Sequence, residues 1–370
     1  MSATSPVGAA QAARPTAPLV VHTHDIPPRG RPPAGFPATE WDAFVARMPD
    51  GTAFHRTAWL TAVSQALGHR AFALEARDAA GALTGVLPVV HVASPLFGRF
   101  LVAVPFASYG GPLGTPASVH ALSARAVELA RELGVGLLEL RARRPLAEPP
   151  PGLDVSTRKL TVTLSLEGGA DATFARFPSK LRSQVRRSEK DGVAVRVAPG
   201  LVTDFHQVYA RHMRDLGTPS LPRRFFEALA HHFGDDMLFA IATIDGTPIA
   251  CGAGFRYGQE FEITWASALR EYNRLSPNMA LYWRLMAHLA DADVRTFNFG
   301  RCTADSGTHR FKRQWGGVDE LLSWYQWRAD GAPIATPTPG GRFSLAQSVW
   351  TRLPLPLANA IGPRLARLLP

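Results

Sequence analysis

The residues best suited to chemistry sit in one run, FNFGRCTADSGTHRFKRQWG, from Phe297 to Gly316. An apolar, strand-like stretch (Val294 to Phe299) ends on Gly300-Arg301, a polar loop with a glycine follows, and a cationic, aromatic run closes it: His309, Arg310, Phe311, Lys312, Arg313 and Trp315. Strand ends that open into loops are where α/β folds place ligand chemistry, because the scaffold is rigid and the loop is free to vary. The run carries fixed cations but no carboxylate pair and no metal-ligand spacing. That combination suits a grip on an anionic or carbonyl-bearing substrate, with Arg301 and Lys312 holding an acceptor or a developing oxyanion and Trp315 contacting it. Any one of these residues could belong to an ordinary basic surface loop; the whole run argues against that.

Four further segments could complete such a site. Of 40 basic residues only Lys159, Lys180, Lys190 and Lys312 are lysines, so a lysine kept amid so much arginine suggests a compact, titratable ammonium. Two of them fall in motif-like segments. SKLRSQVRRSEK reads as a helix capped by Ser179, with Lys180, Arg187 and Lys190 on one broad face and Arg182 and Arg186 on another. It is either a phosphate grip, for a tRNA end or a nucleotide-linked precursor, or a solvated helix face. SPNMALYW places Asn278 at a helix start, with free backbone N–H groups and Tyr282 one turn in, while Trp283 reads as core. PFASYGGP carries Tyr109 beside glycines that would let a backbone approach a ligand closely. In EFEITWAS, Glu262 and Trp265 are expected on the side opposite Phe261 and Ile263; Glu262 could act as general base toward an amine, or form a surface ion pair. Together these place Lys180, Tyr109, Asn278, Arg301 and Lys312 around one cleft.

The elements that must position them occur twice. A helix (Thr57 to Leu67), strands Ala71 to Arg77 and Leu83 to Val92, a helix (Ala117 to Leu133) and a strand (Gly136 to Arg141) form the first set. Helices Val202 to Leu216 and Pro222 to Phe233 lead the second. Strands Met237 to Ile244, Pro248 to Tyr257 and Glu260 to Ala268 follow, then a helix (Asn278 to Asp291) and the strand Val294 to Phe299. The hairpin turns at Gly81 and Gly246, and the closing strands GVGLLELR and DVRTFNFGR, recur at an offset of about 160 residues, which predicts a duplicated α/β lobe. The expected organisation is a disordered tail over 1–38, lobes over 39–150 and 151–330, and a basic, apolar C-terminal segment over 331–370. Thr39 is placed to cap the first helix, and Ala147 to Asp154 reads as the linker.

Composition limits the function classes. The net charge of +10 resembles a nucleic-acid or membrane footprint, but arginine bias together with abundant Ala, Gly and Pro is also what a GC-rich genome produces. Two cysteines make no disulfide framework and no Cys/His cluster suggests zinc, so no metal is expected. No leader-like N-terminus and no apolar run of about 18 residues is visible, which points to a cytoplasmic protein.

Five ordered landmarks, PFASYGGP, FPSKLRSQVRRSEKDGV, LGTPSLPRRFF, SPNMALYW and FNFGRCTADSGTHRFKRQWG, together resemble the FemAB-like family, in particular its branch associated with exosortase (PEP-CTERM) and exopolysaccharide loci. The resemblance runs from about Trp41 to the C-terminus. It implies an α+β fold of two tandem GNAT-type acyltransferase lobes, each with a mixed, mainly antiparallel sheet. It also implies N-acyl or aminoacyl transfer to an amine-bearing envelope or exopolysaccharide precursor, from aminoacyl-tRNA or an acyl-CoA. Two departures bear on this. The loop LREYNRLSPN lacks the R/Q-x-x-G-x-G/A signature that grips coenzyme A pyrophosphate, and position 302 is cysteine where this branch has serine, which argues against a Cys302 nucleophile. A non-catalytic GNAT-like module for RNA or an assembly partner, and a peripheral membrane scaffold, are the other classes open. The C-terminal segment, with Leu345, Val349, Trp350, Leu353, Leu357, Ile361, Leu365 and Leu368 among Arg352, Arg364 and Arg367, could either contact the inner face of the membrane or pack back on the second lobe.

Overall fold

The computed structural model describes residues 19–95, 97–332 and 347–368. Two mixed, mostly antiparallel sheets share one plan. The first contains β1 (Val20–Ile26), β2 (Arg70–Arg77), β3 (Leu83–Ser94), β4 (Gly98–Val102), β5 (Leu113–Gly114), β6 (Leu137–Ala142) and β7 (Asp154–Ser156). The second contains β8 (Lys159–Ser165), β9 (Ala194–Ala198), β10 (Met237–Ile244), β11 (Thr247–Tyr257), β12 (Glu260–Ala268), β13 (Thr296–Thr303) and β14 (Val318–Leu321). The next strand, β15 (Ser323–Arg328), returns to the first sheet. The strand orders, β1-β2-β3-β4-β6-β15-β7 and β9-β10-β11-β12-β13-β8-β14, correspond position for position.

Each sheet has one parallel pair, β4 with β6 and β12 with β13. A parallel pair needs a crossover. Helix α3 (Pro116–Glu132) supplies the first, with Thr115 accepting from the Ser118 amide at its start, and Pro277–Ala290 supplies the second. The remaining helices are α1 (Ala38–Arg47), α2 (Thr57–Ala62), α4 (Gly169–Arg176), α5 (Ser179–Lys190), α6 (Val202–Asp215) and α7 (Arg223–Phe233). Pro277–Ala290 is α8, and α9 (Gly307–Arg313) and α10 (Leu355–Ala366) follow.

Three apolar clusters hold these layers together. One lies under α3 and one under α8; the third joins the lobes, with Phe54 and Trp59 from the first meeting Phe225, Phe255 and Trp265 from the second. Fully burying such a side chain contributes about 1.5–3 kcal/mol, so the lobes are fused by a common core.

Several expectations need correction. The stretch read as a disordered tail contains β1, an edge strand paired antiparallel with β2 from Val20 to Ile26. Its sequence, VVHTHDI, puts polar residues at half-buried positions and so lacks the apolar alternation that marks a half-buried strand. Residues 1–18 lie outside the described residues. The boundaries at 150 and 330 also fail to follow the sheets, because β7 and β15 lie within 151–330 yet pair in the first sheet. Thr39 and Ser179 fall inside the first turns of α1 and α5 rather than capping them. Of the C-terminal segment, residues 333–346 lie outside the described residues. Residues 347–368 pack back: Arg214 donates to the Leu353 carbonyl, Arg367 to that of Leu67, and Ala358 and Ala366 are buried. Among the described residues no helix is long and apolar enough to cross a membrane.

Candidate functional site

The site is built where β12 and β13 part. They pair in parallel only from Glu260/Thr296 to Glu262/Asn298. Beyond this, β13 keeps its hydrogen bonds to β8 alone, with an irregularity between Asn298 and Arg301. Gly300 sits in that irregularity at φ +68°, and a Cβ there would lie 2.7 Å from the Ile263 carbonyl oxygen, so both backbone angle and space demand glycine. The strand continues to Thr303. Gly300 and Arg301 therefore lie within the strand, which runs two residues past them, and the cationic run His309 to Arg313 lies in α9.

Lys312 reaches from α9 back to this bulge. Its ammonium donates to the carbonyls of Gly300 and, at 2.9 Å, Arg301, and the side chain is buried. Burial pulls its pKa down to about 8. Two carbonyls on a strand that has lost its neighbour need donors, and a compact ammonium fits between them.

Glu262 approaches from β12. It is 5% exposed, accepts from the Ser108 hydroxyl at 2.6 Å through Oε1, and has no partner for Oε2. Desolvation raises its pKa to about 7, against the opposing pull of the neighbouring Ser108 and Tyr109 hydroxyls. The same Ser108 oxygen accepts from the Arg301 amide at 3.4 Å and so bridges the two strands. A register shift at Ala253/Gly254 leaves Thr264 unpaired, and this bulge is what brings Trp265 onto the face of Glu262; simple alternation would have separated them.

Ser108 and Tyr109 are delivered by the first lobe through a strained loop. Val104 and Phe106 adopt φ +48° and +70°, a region unfavourable to a β-branched valine in particular. The buried Arg141 holds the loop, donating to the carbonyls of Ala107 (3.2 Å) and Val104 (3.4 Å). Gly111 allows the loop to lie against β6, since a Cβ there would be 3.0 Å from Ala142 Cα, and Gly110 makes room for the Val104 side chain. Tyr109 Oη accepts from Asn298 Nδ2 at 2.8 Å, and the same amide group donates to Glu260 at 2.8 Å. Arg143 then clamps Glu260 and Glu320 with pairs of bonds at 2.9–3.1 Å, tying the lobes together around the site.

Two separate open spaces are lined by residues of this junction. One, of about 500 Å³, lies between the lobes, where Glu262, Glu260, Tyr109, Arg143 and Phe54 line it. The other is a cleft in two contiguous parts that share His212, Ala266 and Ser267. One part, of about 370 Å³, contains Asn278 and Tyr282; the other, of about 350 Å³, contains Arg301 with Trp265, Phe106 and Ala366. Arg301 lies over the Trp324 ring at 5.3 Å. Desolvation and the charge of Arg141 lower its pKa to about 10, although part of the residue stays exposed, so it is cationic at neutral pH.

The structure therefore gathers Glu262, Arg301, Lys312 and Tyr109, and puts Asn278 and Tyr282 in the cleft that Arg301 borders. It separates the others. Lys180 is exposed and makes no hydrogen bond or ion pair among the described residues, while Arg182 donates to the Ala175 carbonyl and Arg186 lies over Phe174. Trp315 is 1% exposed among Phe177, Tyr282 and Phe299, which makes it a core residue rather than a substrate contact. Cys302 is buried with its pKa raised by desolvation, which keeps it a thiol. Sequence reasoning missed Ser108, Asn298, Glu260 and Arg143. Ser108 stood inside a quoted landmark, but nothing in the pattern distinguished it from a turn serine.

An acetyltransferase (GNAT) domain model matches residues 175–313, which contain β12, β13 and α9. No curated protein matches the sequence. Among solved structures, FemX superposes with a TM-score of 0.62 at 14% identity, covering 80% of this chain and 97% of that one. L-PGS from Bacillus licheniformis gives 0.52 at 14% identity, covering 88% and 96%. A tandem GNAT protein from the clavulanic acid biosynthesis pathway gives 0.50 at 13%, covering 85% and 100%. At these identities the likeness establishes the fold, two tandem GNAT-like lobes.

Proposed function

We propose that this chain is an N-acyl or aminoacyl transferase that acylates an amine-bearing precursor. The observation that carries the reading is the pairing of a buried carboxylate poised near neutrality, Glu262, with cationic groups across parted strands. Transfer to an amine requires that the amine lose a proton, that the tetrahedral oxyanion be stabilised, and that both substrates be positioned. In this reading the acceptor enters the space between the lobes and its nitrogen gives a proton to Glu262 Oε2 while attacking the acyl carbonyl. Arg301 and the third N–H of Lys312 stabilise the oxyanion. Its collapse breaks the bond to the leaving group, a tRNA ribose hydroxyl or a thiol, which departs with a proton, and leaves an amide. The donor occupies the cleft beside Asn278 and Tyr282. The envelope or exopolysaccharide setting rests on the sequence resemblance, and FemX and L-PGS share the fold.

A second reading, a module that binds RNA without catalysis, is favoured by the exposed Lys180, Arg187 and Lys190 of α5. The deciding assay supplies purified protein with charged tRNA or acyl-CoA and with nucleotide-linked or lipid-linked amines, and follows products by mass spectrometry. An amide product abolished by Lys312→Ala with RNA binding intact supports the enzyme. RNA binding with no turnover of either donor supports the module.

A further inference from the structure

A cavity of about 250 Å³ lies away from the strand junction, where Gly68, His69 and Arg70 meet His91 and the end of α10 at Arg367 and Leu368. Its charges do not balance. A Cβ placed on Gly68 would be 3.6 Å from Arg29 Nε and 3.9 Å from Arg367 Nη1, so two guanidiniums converge over one backbone position. No carboxylate lines the cavity among the described residues, and the charge of Arg70 in its wall is already engaged by Asp25, 2.6 Å from its Nη2. The Arg29 side chain has no hydrogen bond or ion pair among the described residues, and Arg367 offers only a 3.4 Å contact to the Leu67 carbonyl while its Nε is buried without a partner.

The imidazoles point the same way. His69 and His91 both line this cavity; His69 is 6% exposed with the Arg367 backbone beside its ring, and the Nε2 atoms of both imidazoles have no hydrogen-bond partner among the described residues. Buried polar atoms are nearly always paired, so unpartnered imidazole nitrogens beside the Arg29 and Arg367 guanidiniums, which meet no carboxylate among the described residues, indicate a missing acceptor. The groups facing His69 are His91, Arg70 and Arg367, with Arg29 over the adjoining Gly68 and Arg99 beside His91; apart from the occupied Asp25 none is acidic. Desolvation now holds His69 at about 4, and an anion in the cavity would favour its protonated ring.

We propose that this cavity is a binding site for a phosphate group, held by Arg29, Arg367, His69 and His91. Guanidinium pairs and imidazoles match its several acceptor oxygens better than they match a halide. The site is independent of the acyl-transfer reading. It is nonetheless connected to the cleft: Arg367 lines it while the neighbouring Ala366 lines the pocket of Arg301, and the His69 ring stacks 6.3 Å from Phe106, which borders that same pocket. The phosphate could be free or part of an anionic lipid headgroup. Exposed Val349, Leu357 and Ile361, with no acidic residue between 347 and 368, are compatible with the lipid source.

Two titrations at constant ionic strength test this on the full chain. Calorimetry with inorganic phosphate should show saturable binding to one site. Arg29→Gln and Arg367→Met should each weaken it about tenfold or more, the effect of losing one charge-assisted contact. Arg29 is exposed, so its substitution leaves the fold intact even if Arg367→Met does not. Sedimentation with phosphatidylglycerol vesicles, against neutral phosphatidylcholine, identifies the source. Binding to anionic vesicles that Arg29→Gln weakens and phosphate displaces assigns a lipid headgroup, and phosphate binding without vesicle binding assigns a soluble phosphate. Absence of saturable phosphate binding, or binding unchanged in both variants, overturns the site.

Discussion

Replacing Glu262 by glutamine should stabilise the protein while abolishing its activity. The folded protein raises this carboxyl from 4.5 to about 7 because burial disfavours its charged form. Between those values the folded state keeps a proton that the unfolded chain has released, so stability falls as pH rises through this window and levels off above about 7. Each pH unit of difference is worth about 1.4 kcal/mol, which makes the burden at alkaline pH about 3 kcal/mol. Glutamine keeps an oxygen to accept from Ser108 and carries no charge. Its amide hydrogens, set where Oε2 now lacks a partner, shift stability equally at every pH. The informative quantity is therefore the change in the mutational effect. Urea unfolding of both proteins should show the variant gaining about 3 kcal/mol relative to the parent between about pH 4 and pH 8. A pH-independent difference would mean that Glu262 titrates like a solvent carboxylate, and the argument for a poised base would fail. Gain in stability with loss of turnover is the mark of a group kept for chemistry.

Other outcomes follow from the same geometry. Activity should rise with pH through about 7 as Glu262 ionises and fall through about 8 as Lys312 loses its proton, with both limbs belonging to the coupled pair; Glu262→Gln should remove the acid limb, and a flat profile would contradict the assignment. Lys312→Met should destabilise by about 2–4 kcal/mol, since two buried carbonyls lose their donor, and Lys312→Arg should impair turnover nearly as much because a planar fork does not fit between them; full activity of the arginine variant would reduce Lys312 to a generic cation. Substituting Lys180, Arg182 and Arg186 together tests α5 apart from the cleft that it does not line: a raised KM for a phosphate-bearing donor with a flattened salt dependence would make it a phosphate grip, and the expected outcome, an unchanged KM across a salt series, makes it a solvated face. Removing residues 347–370 should lower the unfolding midpoint, because Ala358 and Ala366 are buried and Arg214 bonds to Leu353; an unchanged midpoint would show that this packing contributes nothing.

Much of the fold was legible because its signals are local. The helices and hairpins of both lobes announce themselves through periodicity and turn residues, and the offset between Gly81 and Gly246 exposed the duplication. What could not be read was long-range. The partner of β6 is fixed by a strand almost at the end of the chain, and no local pattern in SWYQWR names its sheet. The site divided in the same way. Lys312, Arg301 and Glu262 were visible as unusual residue types in unusual runs. Ser108, Asn298 and Arg143 matter only through contacts across the lobe boundary, and Trp315 misled because an aromatic beside cations looks the same whether it faces a ligand or a core.

The return of β15 to the first sheet has a consequence for biosynthesis. Gln326 donates to Glu139 at 2.6 Å across 187 residues of intervening chain, and the whole ladder between β15 and β6 spans a similar distance. On a ribosome the first lobe emerges with β6 as an open edge, and it must wait for the entire second lobe before that edge is covered. Closing so long a loop delays the contact, and an unpaired apolar strand invites association with neighbouring chains in the interval. In the second sheet the equivalent strand, β8, is made first and waits for β13, whose paired residues lie 131 to 144 positions later, but that sheet closes with β14 before β15 emerges. The half of the molecule made first is thus the half completed last, and stalling or truncation anywhere before Ser323 leaves a chain whose N-terminal sheet cannot finish.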